Sequence, residues 1–571
     1  YDYHGGQPEV AETDSWKVQD LPVPDRGGTP DIAPDLPDSI AKTEVMEETV
    51  ADQLAAVDRI RECTVHLSFV PPDGSAVFVA GEFTDWTDAE IALADDDGDG
   101  TWELVLDLDA YPPGSYGYKF HTAADGWFLD SSNPLAKWVD GVENSKLLIP
   151  DCNLPELKLA EADLDPAAGT LKVRVEAYNS PSSAGLKAGT ASLTVNGEPH
   201  DPGFNPETGV FEVELTGLED NTKQTLAFAL KNEYGEGKKL LPFWLSSDGW
   251  SWADAVIYFA FTDRFANGDP SNDAPSPCTE TEATNWHGGD FAGITQKLEE
   301  GYFDALGIDV LWLSPVIDNP NGCVAGTIPG VIYTSYHGYF PLDINSTEEH
   351  FGTMAELKTL VTAAHARGIR VIVDFVGNHV YEDCPLWSEH SGDGWFHEFY
   401  PCEPAWDKLI ECWFQPYLPD LDYTNDEVVE TMTDSAIFWI TETGIDGFRV
   451  DAVKHMVHNF MKTLRWKIAL EVETTGVPFY MVGETFTGDW GGGNGAAELA
   501  IKEYISPLEL NGQFDFPFYW QILRAVARDE GDFSDLFSFI TASEGYYGED
   551  ALMVSFLGNH DVPSFVSPAP G

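Results

Sequence analysis

The sequence predicts an α/β fold: a (β/α)8 TIM barrel in the C-terminal half, preceded by two β-sandwich (immunoglobulin-like) domains. Short alternating apolar runs separated by turn clusters fill residues 64–232, and this pattern is typical of β-sandwiches. After residue 254, β-branched apolar runs alternate with helical stretches, which indicates βα units and a parallel sheet. Seven such strands are visible and no eighth. We therefore expect a barrel whose C-terminal part is missing from this sequence.

Composition divides the chain into four segments. The first is rich in Pro, Asp, Glu and Gly, so it cannot bury enough apolar surface to order itself, apart from a short helix near 42–61. The predicted segments are a disordered acidic tether (1–60), a first sandwich (61–152), a second sandwich (153–247) and the barrel (248–571) with an inserted domain at about 380–425. The predicted barrel strands are 255–259, 310–313, 370–374, 447–451, 479–484, 513–516 and 552–557.

The charge balance limits the possible partners. The 571 residues include 30 Lys+Arg and 97 Asp+Glu, a formal charge of −67. Such a surface repels phosphate, so we expect no nucleic-acid partner and no anionic membrane surface, and a neutral or cationic substrate. A protein that works in high salt shows the same acidic excess. No apolar run approaches the roughly 18 residues of a transmembrane helix.

The cysteines bear on the compartment. Seven are present, none with the CxxC spacing of a zinc site, so up to three disulfides can form. They fall into three groups along the chain: Cys63 with Cys152, Cys278 with Cys323, and Cys384 with Cys402 and Cys412. They are either reduced structural thiols or, as we favour, disulfides of an exported protein. We expect an extracellular, cell-surface or periplasmic location, with a signal that is not in the given sequence.

Carboxylates and histidines follow four of the predicted barrel strands, where a βα barrel places its catalytic groups. The segments are Asp374–His379, Gly447–His455, Gly483–Phe486 and Gly558–Asp561. A lone Asp at a strand end is more often a helix cap, but four such ends are hard to explain as caps. Arg449 and Asp451 are two residues apart on one strand, so they face the same side and pair, which keeps Asp451 ionised.

An ionised carboxylate beside an arginine, with a second and less paired carboxyl group from the next strand, is what glycoside hydrolysis requires. A metal hydrolase also uses Asp and His, but its ligands converge on one ion, and the arginine argues against that.

The four segments resemble the four signature regions of the α-amylase family, glycoside hydrolase family 13, across about residues 254–571. The resemblance implies a retaining, endo-acting hydrolase that cleaves α-1,4 bonds in starch, glycogen or maltodextrins through a covalent glycosyl-enzyme intermediate. It implies Asp451 as nucleophile, Glu484 as general acid/base, and Asp561 as a group that binds sugar hydroxyls and stabilises the transition state.

The same resemblance implies a set of substrate-binding residues. Arg449 would orient Asp451. His379 and His560 would bind the sugar at the cleavage site, with Asp374 as a supporting carboxylate.

A further family segment is similar to Tyr336–Tyr339. There Tyr339 would stack on a sugar ring and His337 would hydrogen-bond to it. Lys454 and His455 match residues that line the leaving-group side.

Two calcium sites are implied by the resemblance, with the oxygen donors that a hard cation prefers. Leu418–Asp422 resembles the family's segment in the inserted domain, which implies Asn378, Asp420 and the main-chain oxygen of His455. The run from Thr262 to Asp273, followed by Gly288–Asp290, is similar to the extra calcium loop of cyclodextrin glucanotransferases. The implied ligands of that second site are Asn267, Asp269, Asn272, Asp273, Gly288 and Asp290. The alternative is an Asn/Asp-rich turn without a metal.

The first sandwich carries segments that resemble the glycogen- and starch-binding module of carbohydrate-binding family 48: Gly81–Trp86, Tyr118–Phe120 and Asp125–Trp127. Trp86 and Trp127 would stack on glucose rings, while Lys119 and Asn144 would hydrogen-bond to hydroxyls. The alternative is that the tryptophans only pack the sandwich.

Three functional hypotheses therefore stand beside one another. The preferred one is the hydrolase, a monomer with a neutral α-glucan as its partner. Of the neutral and cationic substrates that the charge balance allows, this hypothesis therefore selects a neutral one. The second is a transglycosylase like the cyclodextrin-forming enzymes, whose central aromatic residue aligns with Pro416, although a shift of one residue would place Tyr417 there. The third, a non-catalytic glucan-binding protein, predicts a lost nucleophile or acid, and both are present.

Overall fold

The structure is a computed structural model that describes residues 59–566, except 88–90, 125, 274–277, 279–281, 326–330, 405, 489–494, 544 and 564. Nearly all of the predicted tether lies outside the described residues. Among those that are described, no helix is both long and apolar enough to cross a membrane.

The first β-rich region has two sheets that share one apolar core. Its strands are Thr64–Phe69, Val77–Gly81, Ile91–Ala92, Trp102–Asp107, Gly114–Thr122, Trp127–Phe128, Ala136–Val139 and Val142–Ile149. Strands 64–69 and 102–107 pair antiparallel as one sheet, and the other six form the second. Leu67 and Leu106 of the small sheet pack with Val79 and Phe120 of the large one.

The second β-rich region consists of two four-stranded antiparallel sheets around a common core that includes Val173, Phe211 and Phe228. Its strands are Glu156–Asp165, Thr170–Tyr178, Lys187–Val195, Glu198–His200, Phe204–Asn205, Val210–Thr216, Thr222–Lys231 and Glu236–Leu245. The sequence pattern indicated only half of them. Glu156–Asp165 was missed because it is a largely exposed edge strand rich in Glu and Asp, residues that are uncommon in strands.

The C-terminal region is built on a six-stranded parallel sheet, half of a barrel, with strands in chain order. The strands are β1 (Ile257–Ala260), β2 (Val310–Leu313), β3 (Arg370–Phe375), β4 (Gly447–Val450), β5 (Tyr480–Gly483) and β6 (Gly512–Gln513). Every residue of β2 to β5 is buried, as parallel strands covered on both faces require. Six of the seven predicted parallel strands are confirmed, although β6 is shorter than expected.

Helices and short hairpins connect these strands. The helices are Thr262–Phe265, Phe291–Glu299, Tyr302–Leu306, Met354–His365, Pro385–His390, Asp426–Thr443, His458–Glu471, Gly495–Lys502, Phe516–Ile522 and Phe533–Ser543. Two small antiparallel ladders join Ile317–Asp318 to Asp343–Thr347 and Val324–Ala325 to Ile332–Tyr333.

The predicted seventh barrel strand, 552–557, is wrong as a regular strand. Only one parallel bridge forms within that described segment, between Phe514 and Val554. The reason lies in its neighbour: Phe516 begins a helix with a proline in its first turn, so extended backbone ends just after β6.

The disulfide alternative holds over the reduced-thiol one. Disulfides join Cys63 to Cys152, Cys278 to Cys323 and Cys402 to Cys412. Cys384 is a buried thiol, and burial raises its pKa to about 11.

A buried ion pair ties the second β-rich region to the barrel. Lys223 Nζ donates to Asp446 Oδ1 at 2.7 Å and to the carbonyl of Gly444 at 2.8 Å. Asp446 lies just before β4, and its other oxygen accepts from His365 Nε2 at 2.7 Å and from the Val371 amide at 2.9 Å. Although burial opposes it, the charges of His365 and Lys223 hold the pKa of Asp446 well below its usual range.

Removing this lysine tests the junction. We expect Lys223→Met to cost about 3 kcal/mol of unfolding free energy, because it leaves a buried carboxylate short of a partner. Urea denaturation followed by tryptophan fluorescence measures the loss. The matched control is Lys172→Met in the same region, since Lys172 is exposed and 3.8 Å from Glu214; it should change stability by less than about 0.5 kcal/mol. Equal losses for the two variants would contradict the assignment.

Candidate active site

Four acidic side chains meet at the carboxyl ends of the parallel strands, around one arginine. Arg449 on β4 donates from Nη1 to Asp374 Oδ1 at 2.6 Å and to Asp451 Oδ1. Its Nη2 lies 4.0 Å from both Glu484 Oε2 and Asp561 Oδ2. The structure therefore brings together the residues that the four sequence segments predicted as one site.

Arg449 is a fully buried cation, 1% exposed. Burial alone would lower its pKa, but Asp374 and Asp451 hold it above the usual value. Burial raises the pKa of Asp374 to about 7, and the charge of Arg449 opposes that rise. A buried guanidinium is stable only when carboxylates compensate its charge. The arginine and its carboxylates are thus a mutually dependent unit.

Glu484, directly after β5, has a different environment from Asp451. Burial raises its pKa to about 7, and Arg449 opposes this only in part from 4.0 Å. Its Oε2 accepts the amide proton of Ala452 at 3.2 Å. Ala452 follows Asp451 with a φ of 51°, a left-handed conformation that is costly for a residue with a Cβ. Two carboxyl groups with contrasting surroundings are the arrangement that separates an acid from a nucleophile.

Tyr339 links the supporting carboxylate to a histidine. Its hydroxyl donates to Asp374 Oδ2 at 3.0 Å and lies 2.9 Å from His560 Nε2. Because the phenol proton points to Asp374, His560 Nε2 must carry a proton and donate. Burial lowers the pKa of His560 and of His337 to about 3, so both rings are neutral. His337 Nδ1 accepts the amide proton of Tyr339 at 3.0 Å, as a neutral ring can.

The other predicted substrate residues lie around this centre. His379 Nε2 is 3.1 Å from the carbonyl of Tyr339, and burial lowers the His379 pKa. Lys454 donates to the carbonyl of Phe486 at 2.8 Å. The ring of His455 is 2.7 Å through Nδ1 from the carbonyl of Leu409.

Two aromatic residues were missed by the sequence interpretation. Trp312 on β2 donates from its indole to Asp374 Oδ2 at 3.0 Å. Trp406, 44% exposed and with a φ of 51°, lies 6.0 Å from the ring of His455. It belongs to the loop closed by Cys402 and Cys412, and an aromatic residue between closely spaced cysteines was the available signal.

The first predicted calcium set is partly assembled. Asn378 and Asp420 are buried and in contact, with the Asn378 amide donating to Asp420 Oδ1 at 2.9 Å. Asp420 Oδ2 is 2.8 Å from His397 Nδ1. Both side chains supply oxygen atoms suited to a hard cation, although donors now occupy both Asp420 oxygens.

Some residues of the second predicted calcium site lie close together. Asn267 lies 2.8 and 2.9 Å from the two oxygens of Asp273, and a Cβ on Gly288 would come within 2.2 Å of Asp273 Oδ1. Asn272 Oδ1 is buried without a hydrogen-bond partner. Asn267, Asp273 and Gly288 thus lie close together, and the Asn267 contact to Asp273 is made by its amide nitrogen.

Asp290, predicted as a calcium ligand, also holds the backbone around it. It is fully buried and caps the helix Phe291–Glu299, accepting from the amides of Gly268, Asp269 and Gly293 at 2.6–3.1 Å. Both of its oxygens are therefore used by the backbone. Asp269 in turn accepts the amide proton of Ser271 at 2.9 Å.

In the first β-rich region the two predicted tryptophans lie side by side. The rings of Trp86 and Trp127 are 6.5 Å apart, and Trp127 is 45% exposed. Lys119, partly exposed, pairs across the sheet with Ala80. Asn144 contradicts the prediction: it is buried, and its amide donates to the carbonyl of Val142 at 2.7 Å, so it is not available to a surface ligand. Asp125 lies outside the described residues.

The fold and site together define an enzyme of the parallel α/β class with paired carboxyl groups at the carboxyl edge of its sheet. Residues 259–570 match the family model described as alpha amylase, catalytic domain. The chain therefore belongs to the α-amylase catalytic-domain family of glycoside hydrolase-type enzymes.

Individual relatives share this region. A cyclomaltodextrin glucanotransferase of Bacillus licheniformis is 31% identical over 342 residues, covering 55% of this chain and 45% of that protein. A beta/alpha-amylase of Paenibacillus polymyxa is 32% identical over 336 residues, covering 56% and 25%. A solved Anoxybacillus alpha-amylase structure is 32% identical, covering 55% and 64%, with a TM-score of 0.46. The chain thus spans less than half the length of these two curated relatives.

Proposed function

We propose that this protein is a retaining, endo-acting α-glucan hydrolase that cleaves α-1,4 bonds in starch, glycogen or maltodextrins. One observation carries the proposal: Arg449 bonds directly to Asp451 but stands 4.0 Å from Glu484. One carboxyl group is thereby kept as an ionised nucleophile, while the other is free to hold a proton.

In the first step, Glu484 gives its proton to the glycosidic oxygen as that bond breaks, and an Asp451 oxygen bonds to the anomeric carbon. A pKa of about 7 keeps much of Glu484 protonated near neutral pH, as a general acid requires. The positive charge of Arg449 stabilises ionised Asp451 before the attack. The products are a shortened glucan with a free hydroxyl and a glycosyl ester on Asp451.

In the second step, ionised Glu484 takes a proton from water, whose oxygen attacks the anomeric carbon and releases Asp451. Tyr339, His560 and Asp561 surround the same centre. We propose that the Tyr339 ring stacks on the sugar at the cleavage point and that the other two bind its hydroxyls.

Transfer to a second sugar uses the same intermediate, and several relatives are named cyclomaltodextrin glucanotransferases. What supports hydrolysis is the residue that this chain has where those enzymes have their central aromatic residue. Pro416 is exposed at the aligned position, while Tyr417 packs against Phe340, with their rings 5.5 Å apart. Tyr417 is therefore held by the protein rather than left for a glucan chain.

Replacing the nucleophile tests the mechanism. We expect Asp451→Asn to lower kcat on soluble starch by at least about 10⁴-fold, because a neutral amide cannot form the glycosyl ester. Reducing-sugar release measures the activity, and the exposed Asp304→Asn should retain it. Chromatography of the wild-type products should give linear maltooligosaccharides. Unchanged activity in Asp451→Asn would refute the mechanism, and cyclic dextrins as the main product would favour transfer.

The acid group sets the alkaline limit of activity. A general acid works only while it is protonated, so kcat/KM should fall as pH rises through about 7, approaching tenfold per pH unit. Initial rates on maltooligosaccharides across the pH range measure this limb, with enzyme stability checked at each pH. A constant kcat/KM up to about pH 9 would show that burial does not raise the Glu484 pKa as described.

We also propose calcium as a structural cofactor at two sites. One is formed by Asn267, Asp269, Asn272, Asp273, Gly288 and Asp290, and the other by Asn378, Asp420 and the main-chain oxygen of His455. What supports the first group is the closeness of Asn267, Asp273 and Gly288, together with the buried Asn272 oxygen that has no hydrogen-bond partner. When bound, the ion would supply positive charge that holds these oxygens together.

Calcium should raise the thermal midpoint of chelator-treated protein, because it binds only the folded chain. Differential scanning fluorimetry with calcium and with magnesium measures the shift. We expect Asp273→Ala to lose part of the calcium shift and Asp163→Ala, at an exposed position of the strand Glu156–Asp165, to keep all of it. The same shift in both variants would contradict the first site.

Two further parts of the proposal concern context. We propose that Trp86 and the exposed Trp127, whose rings are 6.5 Å apart, bind glucan rings, as the resemblance to family 48 modules implies. We also propose an exported, monomeric protein. The three disulfides support export because such bonds persist in oxidising compartments.

A further inference from the structure

The buried side chain of Asn319 forms hydrogen bonds with the backbone on both sides of Tyr339. Asn319 Oδ1 accepts the amide proton of Phe340 at 2.7 Å, and its Nδ2 donates to the carbonyl of Gly338 at 3.2 Å. A second donation from Nδ2 goes to the carbonyl of Ile317 at 2.8 Å. Asn319 is fully buried, so these bonds are not shared with solvent.

A buried carboxylate in turn holds Asn319. Glu348 Oε2 accepts the amide proton of Asn319 at 3.0 Å. Its Oε1 accepts the amide proton of His350 at 3.0 Å and lies 2.5 Å from the Nδ1 of that residue. The His350 ring stacks on Trp286 at 4.1 Å. Glu348 is therefore immobilised at both oxygens and fully buried.

The loop that carries Tyr339 has little freedom to move without these bonds breaking. Gly338 has a φ of 85°, and a Cβ there would come within 2.6 Å of the Pro315 carbonyl. Asn319 fixes the peptide groups before and after Tyr339, and these two hydrogen bonds therefore determine the direction of the Tyr339 side chain. Its hydroxyl then meets Asp374 and His560 at 3.0 and 2.9 Å.

We propose that Asn319 and Glu348 are positioning residues for the cleavage site: Glu348 fixes Asn319, and Asn319 orients Tyr339 against Asp374 and His560. Neither residue lies in a segment from which the catalytic groups were predicted. The inference rests on the proposed function and deepens it, because it names what places the ring on which the sugar would stack.

A double-mutant cycle separates positioning from simple stability. We expect Asn319→Ala to lower kcat/KM on maltooligosaccharides by about tenfold, since two buried backbone groups lose their partner and the ring shifts. In a Tyr339→Ala background, where the ring is already absent, the same change should cost less than about twofold. Asn321→Ala is the matched control: Asn321 lies on the same loop but is exposed, and it should leave kcat/KM unchanged.

The carboxylate is tested by comparing two replacements. Glu348→Gln retains an oxygen for the Asn319 amide, and its NH2 group can donate to a neutral His350 Nδ1. Only the His350 amide loses its acceptor, so this variant should keep most of the activity. Glu348→Ala should lose about as much as Asn319→Ala. If the alanine variant does not fold, the glutamine variant still tests the idea, because a tenfold or larger loss with an unchanged thermal midpoint would show that the hydrogen bond to Asn319 is not what matters.

A spectroscopic measurement keeps the inference separate from the proposed function. With 3-fluorotyrosine at position 339, the ¹⁹F resonance should move in Asn319→Ala and stay in place in Asn321→Ala, whether or not the protein cleaves starch. An unmoved resonance would overturn the positioning role, and so would equal losses of kcat/KM when Asn319→Ala is made in the wild type and in Tyr339→Ala. A wild-type protein inactive on every α-glucan would overturn the proposed function alone.

Discussion

The site depends on one buried cation. Arg449 is 1% exposed on a strand whose neighbours are all buried, and its charge is balanced by carboxylates from β3 and from the ends of β4 and β5. Removing any one partner leaves the others with an unbalanced charge in a poorly solvated place. This interaction therefore joins strands, positions Asp451 and sets the charge state of the centre at once.

Buried basic side chains also occur away from the site. In a chain with 30 basic residues against 97 acidic ones, several basic side chains are buried at junctions between regions. Lys146 of the first β-rich region contacts Asp426 at 2.7 Å and also Glu430, both on a barrel helix. Arg370 at the start of β3 lies over Trp250 at 3.4 Å and Trp244 at 4.2 Å. Acidic residues dominate the surface, but basic residues connect the regions.

The sequence predicted the parts of the molecule that a local pattern of residues determines. The parallel strands were visible as apolar runs, and the carboxylates after them were visible as a set. What could not be seen depends on distant contacts. The 552–557 segment has strand propensity, yet the helix at Phe516 limits its partner to a single bridge. Asn144 has the side chain of a ligand, but folding buries it and bonds its amide to the carbonyl of Val142.

The fold also gives the carboxyl groups of Asp451 and Glu484 different surroundings. Both follow adjacent parallel strands, and in isolation their carboxyl groups would titrate almost alike. Asp451 is two residues beyond Arg449 on the same strand and so shares its direction, which brings it into direct contact with the guanidinium. Glu484 comes from the next strand and reaches only to 4.0 Å, where burial outweighs the attraction. Their origin on adjacent strands is therefore enough to give the two carboxyl groups the different surroundings that the proposed roles of nucleophile and acid require.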